Sequence, residues 1–179
     1  MNTRKLLLGA ALSFSLAAAV VPAASNARAA QKAGAAEQSE PKTFTHEAGG
    51  ITFTVPAGWK AEPDGEQITV SPEEGGISIV LWVTKEDDFE DAAKALGEEL
   101  GKQVKNLKFD GEPKEGTHNG MSYESVKGSG QIEGQDIIFS ADLLAAKKPV
   151  IILSFGTAEG LQKHSGEYTE LVKSIKKIG

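Results

Sequence analysis

The chain contains no cysteine. That rules out disulfides and thiol nucleophiles, and it removes the lipid-modified cysteine of bacterial lipoproteins. Histidine is scarce as well: His46, His118 and His164 are the only three, and none has the H-x-x-x-H spacing of a helical metal site. No serine sits in a G-x-S-x-G nucleophile turn. Gly128-Ser129-Gly130 has the wrong spacing and reads as a strand irregularity. Phosphate loops fail too, because Gly156-Thr157-Ala158-Glu159-Gly160 lacks the P-loop lysine and reads as a strand-to-helix turn. The acidic runs Glu73-Glu74 and Glu86-Asp87-Asp88 lack the spaced oxygens of a calcium loop. The first is expected to solvate a hairpin and the second to cap a helix. No catalytic, metal or cofactor residue is assigned from the sequence, and the three histidines read as solitary surface or turn residues.

Excess positive charge is also absent. The formal net charge is −6, and it becomes more negative once the N-terminus is considered. Residues 1–29 have the organisation of a secretory signal peptide: Arg4 and Lys5, an uncharged apolar run from Leu6 to Val21, then Ala27-Arg28-Ala29 as a small-x-small cleavage box. A retained membrane anchor is the competing reading, since the run approaches the ~18 residues of a transmembrane helix. Pro22, the alanine richness and the cleavage box favour removal after Ala29, leaving no stable membrane span. Three of the 19 basic residues then leave while all 25 acidic residues stay, for a net charge of about −9. Such a chain repels nucleic acid and anionic membrane surface at low salt. The expected location is periplasmic or secreted. Without disulfides, the remaining chain of about 150 residues must hold itself by its core, and that length suffices.

Order is expected to begin near Lys42. Residues 30–41 are small and polar with nothing to bury, which suits a flexible tether, and residues 42–179 form one domain. Ile51, Phe53 and Val55 alternate with Thr52 and Thr54, and Ile68, Val70, Ile77, Ile79, Leu81 and Val83 extend the period of two. This patterning is that of an antiparallel meander with one face in the core. Pro56-Ala57-Gly58-Trp59 is expected to end a strand, with Trp59 as a corner plug. Pro63-Asp64-Gly65 and Pro72 to Gly76 are expected turns. Trp82 and Val80 point away from the Leu81 face, either under a helix or as an exposed binding patch.

The period changes between Asp87 and Asn106. Phe89, Ala92, Ala93, Leu96, Leu100, Val104 and Leu107 form a helical stripe, with Asp87 as the expected N-cap. Gly97 and Gly101 share one side of this helix, where they either admit a close approach to the sheet or merely loosen the helix. Strands follow over Leu107–Pro113, Met121–Lys127 and Ile137–Leu144, with a turn over Gly116–Gly120 and a hairpin at Glu133-Gly134. Val150 to Phe155 is apolar on both faces and so belongs at the centre of the sheet. A last helical stripe holds Leu161, Tyr168, Leu171, Val172, Ile175 and Ile178, divided near Ser165-Gly166. The predicted class is α+β: an antiparallel sheet flanked by helices, in the order strands, helix, strands, helix.

A strand running into Val55-Pro56-Ala57-Gly58-Trp59 resembles the PsbP-like superfamily. The central helix, the hairpin at Gly134 and a strand ending in Phe155-Gly156 before a last helix fit the same pattern, over roughly residues 42 to 178. That superfamily includes a photosystem extrinsic subunit, a Ran-binding nuclear import factor and DcrB-like bacterial envelope proteins. The resemblance implies the sheet-and-helix architecture and a non-catalytic binding or assembly role, with no functional residue to carry over. The first functional expectation is a small exported protein that binds or helps assemble another envelope protein. The alternative is a carrier of a small apolar ligand between sheet and helix, with Leu96, Leu100, Val104 and Trp82 lining the pocket and Gly97 and Gly101 leaving room. A hydrolase built from groups that converge only in space is the remote third.

Overall fold

The computed structural model describes residues 40–178. The segment read as a signal peptide and all of the tether except Glu40 and Pro41 lie outside them. Among the described residues no helix is long and apolar enough to cross a membrane.

Two antiparallel sheets share one core. In the smaller, β2 (Ile51–Val55) lies between β1 (Lys42–His46) and the two-residue β11 (Lys176–Lys177). The larger runs β3 (Trp59–Asp64), β4 (Gln67–Pro72), β5 (Ile77–Val83), β10 (Pro149–Gly156), β9 (Gln135–Ala145), β8 (Met121–Ile132) and β6 (Lys105–Phe109). β7 (Lys114–His118) pairs with β8 beside β6, so the two short strands lie end to end along one edge. Three helices complete the chain: α1 (Phe89–Gln103), α2 (Ala158–Lys163) and α3 (Ser165–Ser174).

Strand alternation sends the apolar residues of the large sheet to two separate cores. Ile79, Leu81, Val150 and Ile152 pack with Ile51, Phe53 and Val55 of the small sheet and with Leu171 and Ile175 at the C-terminus. The opposite face, through Ile151, Phe139, Ala141 and Leu143, packs under Ala92, Leu96 and Leu100 of α1. β10 sits between β5 and β9, and its first four residues are all buried, as a strand covered on both faces must be. Trp82 joins the α1-side cluster, so its face lies under a helix.

Several boundaries differ from the sequence expectation. Pro63 pairs with Ile68 inside β3, and the turn comes after it at Gly65, whose φ is +61°. An edge strand tolerates proline because its outward side needs no N–H. The helix cap is Asp88, whose carboxylate accepts from the N–H groups of Glu90 (2.8 Å) and Asp91 (3.3 Å). The strand expected over Leu107–Pro113 begins earlier and stops at Phe109. Residues 116–118 belong to β7, and the reversal is only Asn119-Gly120, with φ of +47° and +79°. Two consecutive positive φ values are what a tight hairpin turn needs, and Asn-Gly supplies them. Beyond Ser174 the chain leaves the helix and forms β11, so Ile178 is exposed rather than part of the α3 stripe.

Gly128 and Gly130 do mark an irregularity. The β6–β8 register shifts between Lys105 and Lys108. A Cβ on Gly130 would run into Val104, and one on Gly128 would meet the Lys108 carbonyl and lie 2.6 Å from the Phe139 ring. The missing side chains let β6 and the Phe139 ring close over β8.

Candidate functional site

The expected pocket between helix and sheet exists, in a different position along the helix. An open cleft of about 290 Å³ lies where α1 leaves the outer strands uncovered. Ala93, Leu96, Gly97 and Leu100 form its helical wall, and Val126, Ala141 and Leu143 form its floor. Its mouth is Phe109, Gly111, Pro113 and Glu124. The opening coincides with the gap between β6 and β7, where the connection is tied to β8 by the Asp110 N–H donating to the Lys127 carbonyl (2.8 Å).

Leu96, Leu100 and Gly97 therefore line the cleft as expected. Val104 and Trp82 do not: both sit in the packed core on the α1 side. The close-approach reading of Gly97 and Gly101 is also overturned, since a Cβ on either would meet nothing within 4 Å. Both leave open space beside the helix and loosen it, and at Gly97 that space is part of the cleft. Phe109 is 49% exposed at the mouth, held edge-on to Phe139 with ring centroids 5.9 Å apart. Phe109 thus adds half-exposed apolar surface beside the apolar cleft.

The histidines are not brought together, and two of them are buried rather than on the surface. His46 Nδ1 accepts from the Gly49 N–H (3.3 Å) while Nε2 donates to the Glu66 carbonyl (2.9 Å), so the ring carries its proton on Nε2. It pins the β1–β2 turn to the β3–β4 turn. His118 donates to the Ile175 carbonyl (3.1 Å), beyond the end of α3. His164 separates α2 from α3, edge-on to Trp59 (5.7 Å) and 3.5 Å from Glu74. Lys163 holds Glu74 at 2.6 Å and lowers its carboxyl pKa by hydrogen bond and charge, with His164 a smaller contributor. Trp59 is buried at the corner, as expected, and His164 is its cover. Among the described residues no three His, Asp or Glu side chains gather to hold a metal ion.

One polar group escaped the sequence reading. Asp142 stands mostly buried on the face opposite the cleft, hydrogen-bonded to Ser125 and Ser140. Burial raises its pKa against those hydrogen bonds and the nearby Lys127 and His118 charges. The Tyr168 phenol of α3 lies over the same row and is raised by burial too, with Ser154 and Ser140 opposing and Asp142 adding to the rise. Ser154 Oγ itself has no hydrogen bond of good geometry among the described residues. The strand period would have revealed this row: Ser140 and Asp142 alternate with Phe139, Ala141 and Leu143, and Ser154 alternates with Leu153 and Phe155. It joins α3 to the sheet.

The turn 156–160 is filled by protein. The Thr157 N–H donates to the Gly76 carbonyl (3.2 Å), and any Cβ on Gly156 or Gly160 would collide with that carbonyl. The Glu73-Glu74 hairpin is thereby docked against the turn.

No protein-family model matches the chain, and no curated protein matches it in sequence. Similarity is found in three dimensions. The solution structure of cyanobacterial PsbP (CyanoP) from Synechocystis aligns with a TM-score of 0.54, at 10% identity, over 82% of this chain and 98% of that one. The fold is PsbP-like. LpqN, involved in cell envelope biogenesis of Mycobacterium tuberculosis, aligns at a TM-score of 0.54 and 15% identity, over 76% and 90% of the two chains. PA94, a Pseudomonas aeruginosa protein of unknown function, aligns at 0.50 and 17%, over 75% and 95%. At such identities the PsbP-like architecture is shared and residue roles are not transferable.

Proposed function

We propose that this PsbP-like chain is exported and works without catalysis, by binding another protein of the cell envelope and assisting its assembly. The observation that carries the reading is the apolar cleft beside α1, with Phe109 exposed at its mouth. A buried anchor side chain in such a pocket typically dominates the energy of a protein interface. At about 290 Å³ the cleft has room for one or two side chains. Export rests on the Arg4 to Ala29 pattern, and the likeness to LpqN and CyanoP agrees with an accessory role.

Affinity capture from an envelope extract tests this, comparing the natural chain with Gly97→Leu. Gly97 has open space at its Cβ on the helical wall, so leucine there obstructs the cleft without disturbing the core. A discrete partner retained by the natural chain and lost by the variant supports the reading. Equal recovery by both, or no partner at all, counts against it. A second reading, a carrier of a small apolar ligand, draws on the same lining. Native mass spectrometry separates the two: a persistent added mass on the purified protein favours the carrier, and a clean mass favours the docking site.

A further inference from the structure

The outer end of the large sheet sorts its charges by face. Glu115 lies directly opposite Glu124 in the β7–β8 ladder, and Glu124 lies opposite Leu143 of the cleft floor. Directly opposed residues share a face, so both carboxylates stand on the α1 side, in line with the cleft. The lysines nearest in sequence alternate to the other side: Lys114 opposes Ser125, Lys127 opposes Ser140 and Lys108 opposes Ser129. That is the face of Asp142 and α3. Asp110 and Glu112, both exposed, flank Gly111 at the mouth.

Two like charges set opposite each other weaken a ladder. Glu124 is also partly buried on the cleft wall, and neither it nor Glu115 forms an ion pair or side-chain hydrogen bond among the described residues. An apolar floor that ends in two uncompensated carboxylates is complementary to an apolar group with a cation beside it. Resting on the docking reading above, we infer that the partner segment bound here places a lysine or arginine next to its apolar anchor, with the cation reaching Glu124 and Glu115. Two carboxylates set in line along a strand ladder suit a chain that presents its cation and its apolar anchor from neighbouring residues. The negative charge of the exported chain would also speed the encounter with such a partner, and salt would weaken it.

The test uses capped hexapeptides of alternating leucine–lysine, leucine–glutamate and glycine–lysine, titrated into the 15N-labelled protein. The leucine–lysine peptide is expected to shift the amides of Leu96, Gly97, Val126 and Leu143, and the other two to leave them in place. In the double variant E115Q/E124Q that affinity should fall about threefold to tenfold, the size expected of two partly exposed pairs. The variant's own spectrum should stay folded, since the substitution relieves repulsion. Equal binding of leucine–lysine and leucine–glutamate, or no loss in the double variant, overturns the charge inference while leaving cleft docking intact. No perturbation of cleft amides by any peptide overturns the inference too, and the capture experiment then judges the docking reading separately.

Discussion

The carbonyl of Gly76 is seated against Gly160, in space that a side chain on Gly160 would occupy. It also accepts the Thr157 N–H at 3.2 Å. One backbone group thus ties the β4–β5 hairpin to the start of α2, and the hairpin's Glu74 reaches Lys163 at the other end of that helix. Gly160→Ala should separate these elements and destabilise the fold by about 1–3 kcal/mol, the cost of overpacking. Urea unfolding at neutral pH measures it, and an unchanged midpoint would contradict the close approach.

Gly97 and Gly101 predict the opposite sign. Both sit within α1 with open space at the Cβ, so alanine adds helix propensity and costs no clash. Gly101→Ala should stabilise by about 0.4–1 kcal/mol, largely by restricting the unfolded chain. A rise in urea midpoint at constant slope is the expected result.

Asn119 performs two tasks. Its backbone holds φ at +47° in the β7–β8 turn, and its side-chain amide donates to the carbonyls of Lys173 (3.0 Å) and Ile175 (2.8 Å) at the end of α3. Those carbonyls have lost their helical partners, so the turn acts as a cap supplied from another element. Asn119→Gly keeps the turn and loses only the cap, at about 1–2 kcal/mol, whereas Asn119→Ala loses both and should cost more. Equal effects of the two variants would refute the division of roles.

Asp142 makes stability depend on pH in a defined direction. Burial raises its folded pKa above the unfolded value, so between these two values the folded state holds more protons. Stability from this group is full below the unfolded value and declines as pH rises through the folded one. Asp142→Asn removes the cost of charging the buried carboxyl, so the variant should gain stability relative to the natural chain as pH rises to neutrality. Thermal midpoints across a pH series from acid to neutral check it, and a constant difference would contradict it.

Much of the architecture was legible because apolar alternation is strong where a face is buried. Ile77 to Val83 and Val150 to Phe155 declared the central strands, and the stripe of Ala92, Leu96 and Leu100 declared α1. The edges were less legible. β7 reads Lys-Glu-Gly-Thr-His, with no apolar residue to mark a period, and exists because Asn119-Gly120 folds it back on β8. β3 hid its proline on a free edge, and β11 is too short to carry any pattern. A cleft between helix and sheet was legible through Leu96, Leu100 and Gly97, whereas Val104 and Trp82, expected in its lining, and Gly101, expected to leave room for it, lie elsewhere. Its mouth was not, because the stretch from Phe109 to Pro113 and Glu124 of β8 lie on two segments that only strand pairing brings together. The opposition of Glu115 and Glu124 depends on register, which the sequence does not display until the turn between them is placed.

Docking of a partner in the cleft beside α1 is read out by a photo-crosslinking residue placed at position 97 in the native host, with Lys173, exposed at the far end of α3, as the control position. One discrete crosslinked partner is expected from position 97, little from position 173, and a lower yield of the adduct when Glu115 and Glu124 become glutamine. Absence of any adduct at position 97, or the same adduct in equal yield from both positions, would contradict it.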